Sequence, residues 1–204
     1  MTRPAPDTAT RAPTLRDRTR QLVAQEILDT ALRLFTEQGY EETSIAQVAR
    51  EAGVSDRTVF RYFRTKEDLL GGNQQEFSRV LAAAVRDQPA EADVWTALRA
   101  AIAAAQAMNE SREQALERFR LLHGTAALRA GWLEKRLRLQ EDLLPFVKAR
   151  MGALGGNDHG ARAVIATVFA CLDTASTTWV AEHGKGEIMD LYDECIAAVR
   201  VPLD

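Results

Sequence analysis

The stretch Ser44-Ile45-Ala46-Gln47-Val48-Ala49-Arg50-Glu51-Ala52-Gly53-Val54-Ser55-Asp56-Arg57-Thr58-Val59-Phe60-Arg61-Tyr62-Phe63 decides how the rest of this 204-residue chain is read. Ile45, Val48, Ala49 and Ala52 recur at i, i+3, i+4 and i+7, one apolar stripe on a short helix. Ser44, with Gln47 three residues on, fits a capping box. Gly53 stops that helix, and Ser55 is the N-cap of a second one running to about Phe63.

The second helix carries the chemistry. On a wheel advancing about 100° per residue with Arg57 at zero, Val59, Phe63 and Phe60 fall at about 200°, 240° and 300° and are expected to pack on the preceding helices. Arg61, Thr58 and Tyr62 fall at about 40°, 100° and 140°, and Arg64 at about 340°, forming an outer arc. Arginine can donate two bonds to guanine O6 and N7 in a major groove. Hydroxyls and helix N-termini hold phosphates. An ordinary solvated hairpin also shows charge outside. Against it stand the compact caps, the glycine turn and an outer arc without acids, Asp56 sitting in the first turn where the helix dipole favours one.

Upstream, Val23, Ile27, Ala31, Leu34 and Phe35 give one apolar face to a helix over about 15–38, closed by Gly39. Downstream, Thr65 caps a long helix over about 66–86, and five more are expected at about 91–109, 111–124, 126–152, 160–183 and 187–200. No stretch alternates convincingly enough for a strand. The expected fold is all-α, about nine helices, with residues 1–14 a disordered Pro- and Arg-bearing arm, 15–70 the DNA-binding domain and 71–204 a second, larger domain. Pro145 should kink or break the helix that holds it.

The net charge of −3 hides a division: residues 1–66 hold 11 Lys+Arg against 9 Asp+Glu, while residues 67–204 hold 15 against 20. Cys171 and Cys195, the only cysteines, suit a reducing cytosol better than a disulfide framework. No run of about 18 apolar residues stands out and the first residues lack an apolar signal core, so neither a membrane span nor a secreted protein is expected. There is no Gly-x-Ser-x-Gly elbow, phosphate-cradling glycine loop or Cys/His zinc spacing, so neither an enzyme nor a metal or other cofactor is expected.

The run Gly39 to Ser55, continued by Thr58 to Leu70, resembles the N-terminal domain of the TetR family of bacterial transcriptional regulators. That resemblance implies a cytoplasmic, nucleoid-associated homodimer with a helix-turn-helix head and a ligand-binding body, acting on a double-stranded DNA operator. It implies that Thr43 and Lys66 clamp phosphates and that Arg57, Thr58, Arg61 and Tyr62 sit where bases and backbone are touched, with Ser44 and Ser55 at the helix starts. Gly71-Gly72-Asn73 departs from the pattern, as local fraying or as a hinge. The stretch Arg118–Arg129 with Leu133–Leu137 is similar to the acyl-CoA-like, mycofactocin-type subgroup, which implies an elongated apolar or acyl-type effector.

Trp95, Leu98, Ile102, Met108, Phe119, Leu122, Trp132 and Phe146 are the apolar residues that could line such a cavity, and plain core explains each as well. His123 is a polar contact there or a satisfied core histidine. Arg129, Lys135, Arg136 and Arg138 form a phosphate-binding pocket mouth or a solvated face. Asp173, amid apolar residues, needs a partner: across a dimer, on a cationic ligand, or in water at a groove. The stripes Val164, Val168, Cys171, Leu172, Ala175, Trp179 and Ile188, Leu191, Tyr192, Cys195, Ile196, Val199 read as core plus dimer seam. The expected function is a ligand-released homodimeric repressor. The alternatives are an efflux regulator sensing cationic or aromatic drugs and an architectural DNA binder without effector.

Overall fold

The computed structural model describes residues 14–71, 74–108, 111–152 and 158–200. These form ten helices: α1 (Leu15–Gln38), α2 (Ile45–Glu51), α3 (Asp56–Tyr62), α4 (Asp68–Gly71), α5 (Gln74–Arg86), α6 (Val94–Gln106), α7 (Arg112–Gly124), α8 (Ala126–Met151), α9 (Asp158–Ala181) and α10 (Ile188–Val199). The helix expected over 66–86 is thus seen as α4 and α5. Gly72 and Asn73, and with them the hinge question, lie outside the described residues, as does the N-terminal arm before Thr14.

The head is α1 to α4. Ile27, Ala31, Leu34, Phe35, Val48, Ala49, Val59 and Phe63 are buried together at its centre. The turn between α2 and α3 needs Gly53: its φ of 66° is left-handed, and it lets Val54 N reach Ala49 O at 2.9 Å. Ser44 Oγ accepts from Gln47 N at 3.1 Å, but the return half of the expected capping box is absent. Gln47 donates instead to Gln38 Oε1 at 2.6 Å, fastening α2 to the end of α1. The reciprocal cap sits instead at the start of α4. Asp68 N donates to Thr65 Oγ1, and Asp68 Oδ2 accepts from Arg64 N and Thr65 N at 3.0 and 3.3 Å.

The body is α5 to α10, with α8 and α9 packed at its centre behind Leu139, Leu143, Val147, Ile165, Val168 and Phe169. Pro145 does not end α8. It is exposed within a helix that runs on to Met151. Helix α9 is long and apolar enough to cross a membrane by length and composition, and 44 % of its most apolar stretch is buried inside the fold. The apolar seam expected at a dimer interface is largely intramolecular: Val168, Cys171, Leu172, Ala175, Trp179, Ile188 and Tyr192 are all buried within the chain.

One arginine closes the α5–α6 corner. The Arg150 guanidinium donates to the carbonyls of Val85, Gln88, Pro89 and Ala92 at 2.8–3.0 Å, filling the acceptors that the end of α5 leaves open. Charge-assisted bonds contribute roughly 1.5–3 kcal/mol each in favourable cases and are not additive, so Arg150→Met is expected to cost about 2–3 kcal/mol. Urea unfolding measures it; a loss below about 0.5 kcal/mol, the range of an ordinary surface change, would show the corner holds without it.

Candidate nucleic-acid interface

Helix α3 is two turns long, so its position depends on what it is bolted to. Val59 and Phe63 anchor it in the head core. Ser55 Oγ accepts from Thr58 N at 3.2 Å and lies 2.9 Å from Thr58 Oγ1, which orders the first turn. Arg57, Arg61 and Arg64 are exposed, and no carboxylate oxygen among the described residues comes within 4 Å of their guanidinium groups. The body behaves otherwise: Arg99 pairs with Asp193, Arg112 with Glu187, Arg136 with Asp173 and Arg162 with Glu141. Tyr62 is half-buried, with the Arg61 and Arg20 guanidinium carbons 5.1 and 5.8 Å from its ring centre.

Three sequence expectations change here. Thr43 is 1 % exposed, its hydroxyl 2.8 Å from Gly39 O and 3.3 Å from Leu34 O. That side chain pins the α1–α2 loop instead of facing a phosphate, because a buried hydroxyl must satisfy itself on a carbonyl. Lys66 reaches back to Tyr40 O and Glu41 O and lies 4.1 Å from the Tyr40 ring centre, while Tyr40 Oη donates to Glu67 Oε1 at 2.8 Å. It ties the start of α4 to the α1–α2 loop and remains half-exposed. Phe60, expected inside, is 52 % exposed beside the arginines. The wheel missed it because seven residues do not need a wide apolar arc: Val59 and Phe63 suffice. An exposed phenyl edge suits a thymine methyl.

The candidate effector residues do not share one cavity. Leu98 and Ile102 are core at 1 and 2 % exposed. Trp95 lies under the Arg200 guanidinium, 5.4 Å from its ring centre, and Met108 is half-buried at the end of α6. Phe146 lines a separate surface hollow with Ser78 and Asp142. The rest come together between α7, α8 and α9. Phe119 stacks on His123 at 6.2 Å and meets Trp179 edge-on at 6.3 Å. His123 Nε2 is 3.0 Å from Ser176 Oγ. Burial pushes the imidazole below its ordinary range, helped by Arg129 and opposed by Asp173. Asp173 finds its partners within the chain: the Arg136 guanidinium and Trp132 Nε1–H, the latter at 3.3 Å. Of the supposed pocket-mouth cations, Arg136 is therefore spent on Asp173, Arg138 pairs with Glu134, and Lys135 is 8 % exposed.

A left-handed glycine turn, a short helix anchored by two residues, and three guanidinium groups on its outer side without carboxylate partners among the described residues have the form of a helix-turn-helix, and the match to bacterial regulatory proteins makes this a DNA-binding regulator of transcription. The chain belongs to the TetR family: residues 27–71 match the model of bacterial regulatory proteins of the tetR family, and residues 92–204 match the MftR C-terminal domain. It is 28 % identical over 176 residues to the transcriptional regulator TcmR of Streptomyces glaucescens, covering 82 % of this chain and 77 % of that protein. It is 29 % identical over 136 residues to the putative mycofactocin biosynthesis regulator MftR of Mycobacterium tuberculosis, covering 66 and 69 %. The Thermus thermophilus repressor FadR, solved in complex with lauroyl-CoA, shares the fold at a TM-score of 0.53 and 19 % identity over 89 % of this chain and 96 % of that one.

Proposed function

We propose that the protein is a homodimeric, cytoplasmic repressor that releases a near-palindromic operator when a small effector with an apolar body binds. Residues 15–70 act as the DNA-binding unit and the remainder as the effector-binding and dimerisation unit. Two copies of α3 enter successive major grooves about 34–36 Å apart. Arg57, Arg61 and Phe60 read base edges, while Thr58, Tyr62 and the amide groups at the starts of α2 and α3, behind Ser44 and Ser55, hold the backbone. The observation that carries this reading is the set of guanidinium groups on and just after α3 that no described carboxylate holds, in a chain whose body arginines are mostly tied to carboxylates.

Support for the dimer lies on the outside of α9. Ala163, Ala166, Ala170, Thr174 and Thr177 form an exposed stripe of small residues on a helix otherwise apolar enough for a core. On α10, Val199 is 54 % exposed. A second copy covers both, backbone close to backbone. Sedimentation at micromolar concentration is expected to return twice the mass of one chain, and Ala170→Glu is expected to return one. A wild-type monomer under those conditions would end the proposal that α9 and α10 make the interface. The operator is obtained by selecting duplexes from random sequence, and inverted half-sites one turn apart are expected among those retained.

A further inference from the structure

Helix α1 is longer than the core it serves. Its apolar stripe steps back from Phe35 and Ala31 to Ile27, which is fully buried, and then to Val23, which is half-buried. Carried on toward the N-terminus at helical spacing, the same stripe meets Arg20 and then Arg16, seven and eleven residues before Ile27. Both arginines are exposed. From Val23 back to Arg16 the helix advances about 10 Å past the apolar core. Most helical stability comes from packing one face, and here that face has turned from apolar to cationic.

The change falls beside α3. The Arg20 guanidinium carbon stands 5.8 Å from the Tyr62 ring centre, and that of Arg61 stands 5.1 Å from the same ring. Tyr62 thus joins an arginine of α1 to one of α3. Phe60, Arg61 and Arg64 border the same hollow as Arg20. No carboxylate oxygen among the described residues lies within 4 Å of the Arg16 or Arg20 guanidinium. Further along the same helix the pattern reverses: Arg33 pairs with Glu37 at 3.0 Å. The unpaired cations of α1 are therefore the ones that overhang the core, next to the unpaired cations of α3.

A seven-residue helix is only about 10 Å long. Duplex DNA seated on α3 runs past both of its ends and carries one negative charge per roughly 1.7 Å of axis. We propose that the first two turns of α1 are a second DNA contact, in which the Arg16 and Arg20 guanidinium groups hold backbone phosphates at the border of the groove that α3 enters. The inference rests on the operator reading above and adds to it two residues which that reading leaves unused. The contact fixes how the duplex lies on the head and reads no base.

The test uses a duplex selected as described above. Arg16→Ala removes a side chain that has no ion pair among the described residues, so the unfolding midpoint is expected to stay in place. The slope of log affinity against log salt is expected to fall by about one. The shortfall against wild type then widens about three- to fourfold between about 0.2 and 0.05 M salt. Arg20→Ala is expected to lose a similar slope, and Arg20→Lys, which keeps a cation able to meet a phosphate, to recover it. Ethylation interference locates the contact: phosphates whose ethylation weakens wild type but not Arg16→Ala are expected in one short cluster per half-site. An unchanged slope in Arg16→Ala, or the same set of interfering phosphates as in wild type, would overturn the proposal. A loss confined to one duplex sequence would overturn it as well, because that marks a base contact. Failure of Arg20→Lys to recover the slope would make Arg20 a brace for Tyr62 and remove it from the contact. If wild type selects no duplex, the operator reading falls, and the slopes on duplex of random sequence still decide the α1 contact, since phosphates carry no sequence information.

Discussion

Replacing Arg57 and Arg61 together by alanine is expected to weaken operator binding by at least about thirtyfold at fixed salt, from about 1–3 kcal/mol for each arginine–base pairing removed. Both side chains are exposed on α3 and neither is held by a carboxylate among the described residues. Folding stability is accordingly expected to change by less than about 0.5 kcal/mol. The separation of the two readouts is what makes the result diagnostic. A variant that unfolds fails to bind trivially; one that keeps its unfolding midpoint and releases the operator lacks the groups that held the bases. Arg64→Ala is a useful comparison. If it serves phosphate only, it should weaken binding to all duplexes alike and lower the salt slope by about one. Wild-type operator affinity in the double variant would remove α3 as the reading element.

Lys135→Met is expected to stabilise the protein by roughly 3 kcal/mol at pH 7, from a shift of about two and a half units at 1.36 kcal/mol per unit. The ammonium's ordinary value of 10.5 falls to about 8 in the fold because burial strips its water. The sign follows from linkage. Below pH 8 both folded and unfolded chains carry the proton, and the fold bears the full cost of burying it. Between about 8 and 10.5 the unfolded chain still holds the proton that the folded chain has released, so stability rises with pH. From about pH 9 the opposite trend enters, because burial holds the Cys171 and Cys195 thiols above their ordinary value of 9.0, and above pH 10 Tyr40 and Tyr192, held above the ordinary phenol range by burial, add to it. Unfolding at pH 7, 8, 9 and 10 therefore gives a curve for Lys135→Met that starts above the wild type's, with the gap between them closing as pH rises from about 8 to 10. Parallel curves would mean that Lys135 is not the source.

Helix α8 presents Gly131 and Lys135 to the start of α4, and Asp68 there holds the amides of Arg64 and Thr65 at the end of α3. Thr36 Oγ1 donates to Glu117 at 3.1 Å and Gln114 to Asp29 at 3.4 Å, joining α1 to α7. Polar contacts and one close glycine crossing thus help seat the head on the body.

Local chemistry determined what the amino-acid sequence could determine alone. Ser44, Gly53, Ser55 and Thr65 act on backbone groups within five residues, so helix starts and the tight turn were legible without any knowledge of neighbours. Apolar spacing likewise placed the long helices to within a few residues, and the outward arc of Arg57, Arg61 and Arg64 followed from Val59 and Phe63 facing in. Tertiary structure alone decided the rest. Phe60 stays outside because two anchors fill the space above α1 and α2; Thr43 turns inward because Gly39 O and Leu34 O are there to receive it. Asp173 meets Arg136 from 37 residues away, and the Lys135 ammonium, on the buried side of α8, lies over the Phe77 ring of α5. Periodicity says that a side chain needs cover or a partner. Which chain segment provides it is set by how helices distant in sequence pack, and for this chain that packing brings α3 and α8 to the two sides of one cleft.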